Sequence, residues 1–488
     1  MLHRLLSLKV IIVLIAICTS LLMSPIPKQI GFYKWLFSKF IPVIMYPAIS
    51  DASIGILPCT IPTINDWGFT FSELYDNNRQ YEKQNSLWGQ TALVTGVESN
   101  SGSIGYEISL ALARLGVSVT MVCRNKETCK NAALQIRNDD IVLRRSKERN
   151  NNLVGPGMAI KTMIVDLSSL KSVRKFCKQF LLETDDGDDI PMPLDMLFLN
   201  EEIFSHPTQS QSQSNDSVNN DGTTGSTSTS LLLSEDGIEN LFATNVVGYH
   251  LMYKLLEPSL KRNDSLRKTP PRIVVTSSLM SYYPFQKQQH YPGNTNKIAT
   301  DIQTLNSAVI STTTVDDDAI DAVAVDYDSK SLYAHTKLAQ IYWTNELNDR
   351  LIMKEQEQEQ VQEQDDENSN KANSIMYVNA VLMGAVNTNI WNTIDYDNTP
   401  FLNDVFKYIV DNFVRPIMWT PEEGALTLLY LGTNVQDLQT KNIRGKYYHS
   451  QSIEMNNPIF APNDGSKETK LVQEKLWLFL DDLVADFL

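Results

Sequence analysis

The sequence predicts an α/β fold built on a single doubly wound parallel sheet. Three observations lead to this prediction: apolar, β-branched runs recur along the chain, segments with helical apolar spacing separate them, and a glycine-rich turn joins the first run to the first helical segment. Alternating strands and helices place helices on both faces of a parallel sheet. The predicted strands are residues 91–95, 117–123, 160–165, 194–199 and 273–276, and the main predicted helices are 104–115, 239–260 and 332–351.

Length, composition and net charge limit the classes of protein to which the chain can belong. The chain has 488 residues and a net charge of −15, and 42% of it is hydrophobic, which is ordinary for a globular protein. An acidic chain lacks the electrostatic footprint of a nucleic-acid-binding protein, so we expect no nucleic-acid partner. Much of the excess acid lies in short blocks that are typical of solvated loops.

The cysteines and histidines predict neither a disulfide framework nor a metal site. The five cysteines are odd in number and irregularly spaced, and none forms a Cys-x-x-Cys pair. We therefore interpret Cys123 as a small core residue and expect a reducing environment for the folded domain. The six histidines show no metal-ligand spacing.

The N-terminus carries a membrane signal. Residues 5–23 are mostly apolar, Ser24-Pro25-Ile26-Pro27 ends that segment, and residues 30–46 mix aromatic residues with lysines, as at a bilayer interface. We predict an anchor over residues 1–48, a linker over 49–84 and the main domain over 85–488. A cleaved signal peptide and an organelle-targeting segment remain alternatives.

Three polar stretches interrupt the α/β pattern. They span about residues 207–230, 286–324 and 354–373, and they are rich in Ser, Gln, Asn, Thr, Glu or Asp. Such compositions bury little apolar surface. We interpret all three as disordered or loosely ordered insertions in loops.

The glycine-rich turn predicts a nucleotide-binding loop. Thr95-Gly96 ends the first predicted strand, and the run Gly102, Ser103, Ile104 and Gly105 opens the first helix. A pyrophosphate binds backbone N–H groups at a helix N-terminus, and glycines permit its close approach. A βα turn that merely contains glycines is the alternative.

Arg124 follows the second predicted strand, where a carboxylate would bind a ribose 2′-hydroxyl and favour NAD. An arginine there suits a 2′-phosphate, because its planar fork makes charge-assisted hydrogen bonds. We therefore favour NADP over NAD. A surface arginine that only happens to follow a strand is the competing interpretation.

A Tyr-x-x-x-Lys pair supplies candidate acid–base chemistry. Tyr333 and Lys337 are four residues apart on a predicted helix, so both side chains can lie on one face. A nearby cation favours the phenolate form of a tyrosine, which can then exchange a proton with an alcohol or carbonyl.

Together these motifs resemble the short-chain dehydrogenase/reductase family, from residue 90 to the C-terminus apart from the insertions. The opening around Gly96 and Gly105 and the Tyr333–Lys337 pair carry the resemblance, and the implied fold is of the Rossmann type. Cys123-Arg124-Asn125 and residues 420–425, 445–448 and 475–477 resemble the retinol-dehydrogenase-like branch.

The resemblance implies roles for further residues. Ser278 would orient the substrate oxygen, and Asn245 would complete a proton relay through water. Lys337 would hold the nicotinamide ribose as well as activate Tyr333. The remaining cofactor contacts that the family implies are Asp166 near the adenine, Asn200 after the fourth strand, and Thr388.

The sequence also departs from the family pattern. Gly96 and Gly105 are further apart than the corresponding glycines of the family, and Ser103 stands at the middle glycine. After the fourth strand the family has Asn-Asn-Ala-Gly, whereas this chain has Leu199-Asn200-Glu201-Glu202. Two glutamates add bulk and negative charge beside a polyanionic cofactor. These departures motivate an alternative function, a non-catalytic Rossmann-fold binding or scaffold protein.

The expected enzyme interconverts an alcohol and a carbonyl by hydride transfer with NADP(H), and Tyr333 is its acid or base. A membrane anchor suggests a small lipophilic substrate, such as a retinoid, steroid, fatty aldehyde or isoprenoid. We expect a single-pass protein of the endoplasmic reticulum membrane and leave a homodimer open.

Overall fold

A computed structural model gives the fold. It describes residues 87–98, 102–151, 159–182, 193–201, 203, 233–261, 269–278, 280–281, 298–303, 305–306, 329–362, 375–384, 386–393, 404, 407–408, 410–415, 418–449, 452, 454–455 and 467–488. The predicted anchor, the linker and residues 207–230 lie outside the described residues.

One eight-stranded sheet organises the described residues. The strands are β1 Thr91–Thr95, β2 Ser118–Cys123, β3 Ile160–Ile164, β4 Met196–Leu199, β5 Arg272–Ser277, β6 Tyr377–Leu382, β7 Lys446–His449 and β8 Glu454–Met455. Their order is β3-β2-β1-β4-β5-β6-β7-β8. The first seven are parallel, and β8 pairs antiparallel with β7. The predicted parallel sheet is confirmed, with one antiparallel strand added at its edge.

Helices connect the strands. They are α1 Ile104–Arg114, α2 Lys126–Arg137, α3 Asp140–Asn151, α4 Leu170–Leu182, α5 Asn240–Phe242, α6 Gly248–Lys261, α7 Ser329–Gln362, α8 Pro421–Thr433, α9 Val435–Thr440 and α10 Lys467–Val484. A π-helical turn, Ala243–Val247, joins α5 to α6. Short 3₁₀ turns lie at Asn389–Thr393 and Ala485–Phe487.

Both faces of the sheet are buried. Ala92 and Val94 of β1 belong to one apolar cluster with residues of α1, α2 and α8. The intervening Leu93 is also fully buried. Since successive strand residues point to opposite faces, the sheet is covered on each side, as the doubly wound prediction requires.

Backbone contacts divide the chain into two compact units. The larger comprises Ile64–Tyr396 and Trp419–Leu488 and contains the sheet. The other includes the π-helical turn Val410–Val414.

The insertions are more ordered than predicted where the structure describes them. Helix α7 continues to Gln362, through the first part of the acidic segment at 354–373. Glutamate, glutamine and lysine are good helix formers, so this composition extends a helix that tertiary contacts have already established. Within 286–324, Ile298 and Leu305 are buried, and Asn306 accepts a hydrogen bond from the Glu239 N–H at 2.9 Å. The prediction of disorder is wrong for these residues.

The predicted membrane anchor over residues 1–48 lies outside the described residues. Among the described residues, no helix is both long and apolar enough to cross a bilayer.

One disulfide corrects the cysteine interpretation. Cys123 at the end of β2 is bonded to Cys129 in α2, six residues later in sequence. Counting cysteines could not reveal this pairing, because it depends on the turn that brings the start of α2 back over the end of β2. Cys177 is a free, buried thiol whose pKa is raised by burial.

Candidate functional site

A cleft of about 370 Å³ opens at the carboxyl ends of the central strands. Strand order reverses between β1 and β4, which is where doubly wound sheets bind their ligands. The predicted site residues that line the cleft are Gly96, Gly102, Ser103, Ile104, Asn200, Ser278, Tyr333 and Thr388.

The glycine-rich turn holds β1, β4 and α1 close together. Gly96 has φ +73°, and a Cβ there would lie 2.6 Å from the Cα of Glu201. A Cβ at Gly105 would lie 2.5 Å from the Gly96 carbonyl oxygen. Ser103 caps α1 by accepting the Tyr106 N–H at 3.2 Å. The N-terminus of α1 therefore borders the cleft, where its N–H groups favour an anion.

A buried polar network fixes the end of β4 beside β1. The Thr95 hydroxyl accepts hydrogen bonds from the backbone N–H groups of Asn200 at 2.9 Å and Glu201 at 3.0 Å. The Asn200 side-chain oxygen accepts the Thr276 hydroxyl at 3.1 Å. Asn200 therefore ties three strands together at the floor of the cleft, in addition to lining it.

Tyr333 and Lys337 lie on one face of α7, as their spacing predicts. Both are buried, and the Lys337 ammonium nitrogen is 5.2 Å from the centre of the Tyr333 ring. That nitrogen donates to the Thr276 carbonyl at 3.2 Å. Tyr333 lines the cleft, whereas Lys337 is not among the lining residues and lies beside the Tyr333 ring.

Asn245 lies in the π-helical turn Ala243–Val247. Its amide exchanges two hydrogen bonds with the backbone of Ile203, each 3.1 Å long, and donates a third to the Thr336 hydroxyl at 3.1 Å. π-Turns are frequent at functional sites. Here the turn places the backbone carbonyl of Asn245 against α7.

Gln340 connects that carbonyl to Lys337. Its side-chain N–H donates to the Asn245 carbonyl at 2.8 Å, and its side-chain oxygen accepts from the Lys337 ammonium at 3.1 Å. Gln340 is buried. A side-chain amide thus occupies the route where the resemblance implies a water relay, and the sequence analysis missed this residue. Its position three residues after Lys337, on the same helix face, is the signal that could have found it.

Ser278 lines the cleft at the end of β5. Its hydroxyl accepts the Met280 N–H at 3.3 Å, and its carbonyl accepts the Tyr447 hydroxyl at 3.3 Å. Burial raises the pKa of Tyr447, so this second tyrosine remains a neutral donor. Ser278 and Tyr333 consequently face one cleft from β5 and α7.

Arg124 and Asp166 lie near each other at the ends of β2 and β3. The two side chains are about half exposed, and Arg124 Nη2 is 3.8 Å from Asp166 Oδ1. Arg124 Nε is also 4.0 Å from Glu201 Oε1. The Arg124 side chain is therefore accessible to a ligand, and the carboxyl groups of Asp166 and Glu201 both lie near its guanidinium.

Apolar side chains form part of the cleft lining. Met280, Met383, Ile390 and Trp391 contribute to it. Trp391 is held in place by its indole N–H, which donates to the Val386 carbonyl at 2.7 Å. Apolar walls with a few convergent polar groups are typical of small-molecule sites.

Comparison with known proteins identifies several relatives. The chain is 29% identical to human retinol dehydrogenase 14 over 367 residues, covering 74% of this chain and 78% of that protein. It is 25% identical to mouse retinol dehydrogenase 13 over 360 residues, covering 74% and 75%. It is 25% identical to the chloroplastic short-chain dehydrogenase TIC 32 A of Brassica napus over 395 residues, covering 81% and 88%. No family model matches the chain.

Proposed function

We propose that this chain, which belongs to the short-chain dehydrogenase/reductase family and to its retinol-dehydrogenase-like branch, is an NADP(H)-dependent oxidoreductase that interconverts an alcohol and a carbonyl on a lipophilic substrate. The observation that carries the proposal is that Tyr333 and Ser278 line one cleft together with the glycine-rich turn, and that the Lys337 ammonium lies beside the Tyr333 ring.

The residues present fit a nicotinamide dinucleotide. The N-terminus of α1 offers backbone N–H groups to its phosphates, and Gly96 and Gly102 line the cleft beside it. Arg124 is accessible to a 2′-phosphate. Bound there, the cofactor would donate or accept the hydride.

Side chains of this protein would transfer the proton. Tyr333 would give a proton to, or take one from, the substrate oxygen, and Ser278 would hold that oxygen by a hydrogen bond. The ammonium of Lys337 favours the phenolate form of Tyr333 electrostatically. Because the cleft wall is apolar, this exchange takes place away from bulk water, and the same wall supports a lipophilic substrate.

Removal of the Tyr333 hydroxyl tests the chemistry. In the full-length chain, Tyr333→Phe should leave NADPH binding intact and lower turnover of a panel of lipophilic aldehydes by at least about 100-fold, as loss of a general acid does. NADPH fluorescence reports binding, and NADPH oxidation reports turnover.

Tyr342→Phe is the matched control, since Tyr342 is another buried tyrosine of α7 and does not line the cleft. Its turnover should match that of the wild type. A wild-type protein that binds cofactor yet turns over no substrate would favour the scaffold alternative.

Arg124 tests the cofactor preference. Replacing the guanidinium removes a charge-assisted partner for the 2′-phosphate, so Arg124→Asp should shift the ratio of NADPH to NADH affinity toward NADH by roughly tenfold or more. The exposed neighbour Lys126→Ala serves as the control. An unchanged ratio in Arg124→Asp would remove Arg124 from this role.

A further inference from the structure

Glu201 carries a buried carboxyl group that the proposed chemistry does not use. Its side chain is 2% exposed, and among the described residues neither carboxyl oxygen has a hydrogen-bond partner. An isolated buried carboxylate is costly, so such a group either stays neutral or meets a ligand.

The backbone of Glu201 is held firmly. Its N–H donates to the Thr95 hydroxyl at 3.0 Å, and its carbonyl accepts a hydrogen bond from the Tyr249 hydroxyl. Gly96 packs against its Cα from the other side. These contacts fix the position of the Glu201 backbone, and Glu201 lines the cleft together with Ser103 at the start of α1.

Three ionisable side chains lie around this carboxyl group, and each of them follows one strand of the sheet. Arg124 follows β2, with its Nε 4.0 Å from the carboxyl oxygen, which is beyond hydrogen-bond distance. Glu98 follows β1 and Asp166 follows β3. Burial raises the pKa of Glu201 to about 8. Arg124 opposes this shift, while Glu98 and Asp166 add to it.

A bound dinucleotide would add phosphate charge to the same place. Each phosphate would disfavour the ionised form of Glu201 further, since like charges raise the pKa of a carboxyl group. A neutral carboxylic acid, in contrast, offers one O–H donor and remaining acceptor capacity. It can donate to a ribose hydroxyl or a phosphate oxygen, whereas the carboxylate can only accept.

We propose that Glu201 contacts the dinucleotide as a neutral carboxylic acid, so that cofactor binding requires a proton on this side chain. The proposal rests on the proposed function, because it assigns Glu201 to the same cofactor cleft. It also explains how the cleft tolerates a glutamate at the position where the family has alanine.

The test is the pH dependence of NADPH binding to the full-length chain between pH 7 and 9.5. The 2′-phosphate is already doubly ionised over this range, because its second pKa is near ~6. For the wild type, the Kd should be constant near pH 7 and should rise above pH 8, approaching tenfold for each further pH unit. Glu201→Gln keeps a neutral donor and should bind with a Kd that does not change over the range.

Two further variants keep the test decisive. Glu201→Ala restores the residue of the family and should also show a flat profile, so the test survives if Glu201→Gln fails to fold. Glu98→Gln removes the other carboxyl group of the cleft and should keep the wild-type slope. Calorimetry in buffers of different ionisation enthalpy should detect proton uptake above pH 8 with the wild type and none with Glu201→Gln.

The possible failures are distinguishable. A flat wild-type profile with measurable binding overturns the role of Glu201 and leaves the oxidoreductase proposal intact. A flat profile in Glu98→Gln transfers the effect to Glu98 and overturns the role of Glu201 as well. If folded wild-type protein binds neither NADPH nor NADH at pH 7, both proposals fail together.

Discussion

At the scale of single residues, a buried chain of hydrogen bonds positions Lys337 beside Tyr333. The Lys337 ammonium is held by Gln340, which in turn holds the backbone carbonyl of Asn245. Gln340 does not touch the cleft lining, so it is a positioning residue. Its effect on chemistry must act through the placement and charge environment of Lys337.

Gln340→Leu should lower kcat by about tenfold, since loss of a buried partner for a charged group costs at least ~1.5 kcal/mol. Gln340→Leu should also shift the pH dependence of kcat, because the Lys337 ammonium would lose the Gln340 side-chain oxygen as a neutral hydrogen-bond acceptor. Thr344→Val, one turn further along α7, removes a hydroxyl that donates to the Gln340 carbonyl at 2.9 Å and should leave the pH profile in place. If Gln340→Leu lowers the rate with no change in pH profile, Gln340 has only a structural role.

At the scale of elements, α7 links the site to an acidic segment that the sequence analysis treated as a loose insertion. Glu355 in the extended part of the helix accepts two hydrogen bonds from Arg444, at 2.9 and 3.2 Å. Both side chains are less than one-fifth exposed. The Glu355–Arg444 pair connects the C-terminal part of α7 to the loop before β7.

Glu355→Gln should therefore lower the free energy of unfolding by about 1 kcal/mol, the upper range for a partly exposed pair. Chemical denaturation followed by circular dichroism measures this change. Glu357→Gln, an exposed substitution two residues along the same helix, should change stability by less than about 0.5 kcal/mol. Equal effects of the two substitutions would mean that the Arg444 contact does not anchor α7.

At the scale of the whole molecule, a buried polar cluster joins α6, α7 and α10. His250 accepts the Trp343 indole N–H at 3.0 Å on Nδ1, and its Nε2 lies 2.8 Å from Asp481 Oδ1. With Nδ1 accepting, Nε2 carries the hydrogen, and the imidazole is neutral. Burial lowers the pKa of His250, although Asp481 opposes that shift. The pKa of Asp481 is lowered to about 2 by its bonds to His250 and Lys254, against the effect of burial.

These shifts predict acid sensitivity in two steps. Below about pH 6.5 the unfolded chain protonates His250 while the folded chain resists, so stability falls as the pH drops. Asp481 contributes stability above about pH 4 that is lost as the pH falls toward 2. His250→Gln should flatten the free energy of unfolding between pH 7.5 and 5.5, whereas His335→Gln should retain the wild-type slope. A wild-type stability that does not change over this range would contradict the prediction for His250.

The sequence alone predicted a parallel sheet with helices on both faces, five of its strands and eight of the residues that line the cleft. Periodicity of apolar residues and the i, i+4 spacing of Tyr333 and Lys337 are local properties, so they can be read without a fold. Three strands, β6, β7 and β8, were not predicted. Strands β7 and β8 are short and carry weak local signals, whereas β6 is a run of six buried residues.

Only the tertiary structure decided the rest, because those features depend on contacts between distant segments. The Glu/Gln-rich part of α7 contacts Arg444, and the link from Lys337 to Asn245 depends on a π-turn far away in sequence. The state of Glu201 was decided in the same way. The sequence shows two glutamates in place of small residues, whereas the fold buries the Glu201 carboxyl group without a hydrogen-bond partner among the described residues and raises its pKa to about 8.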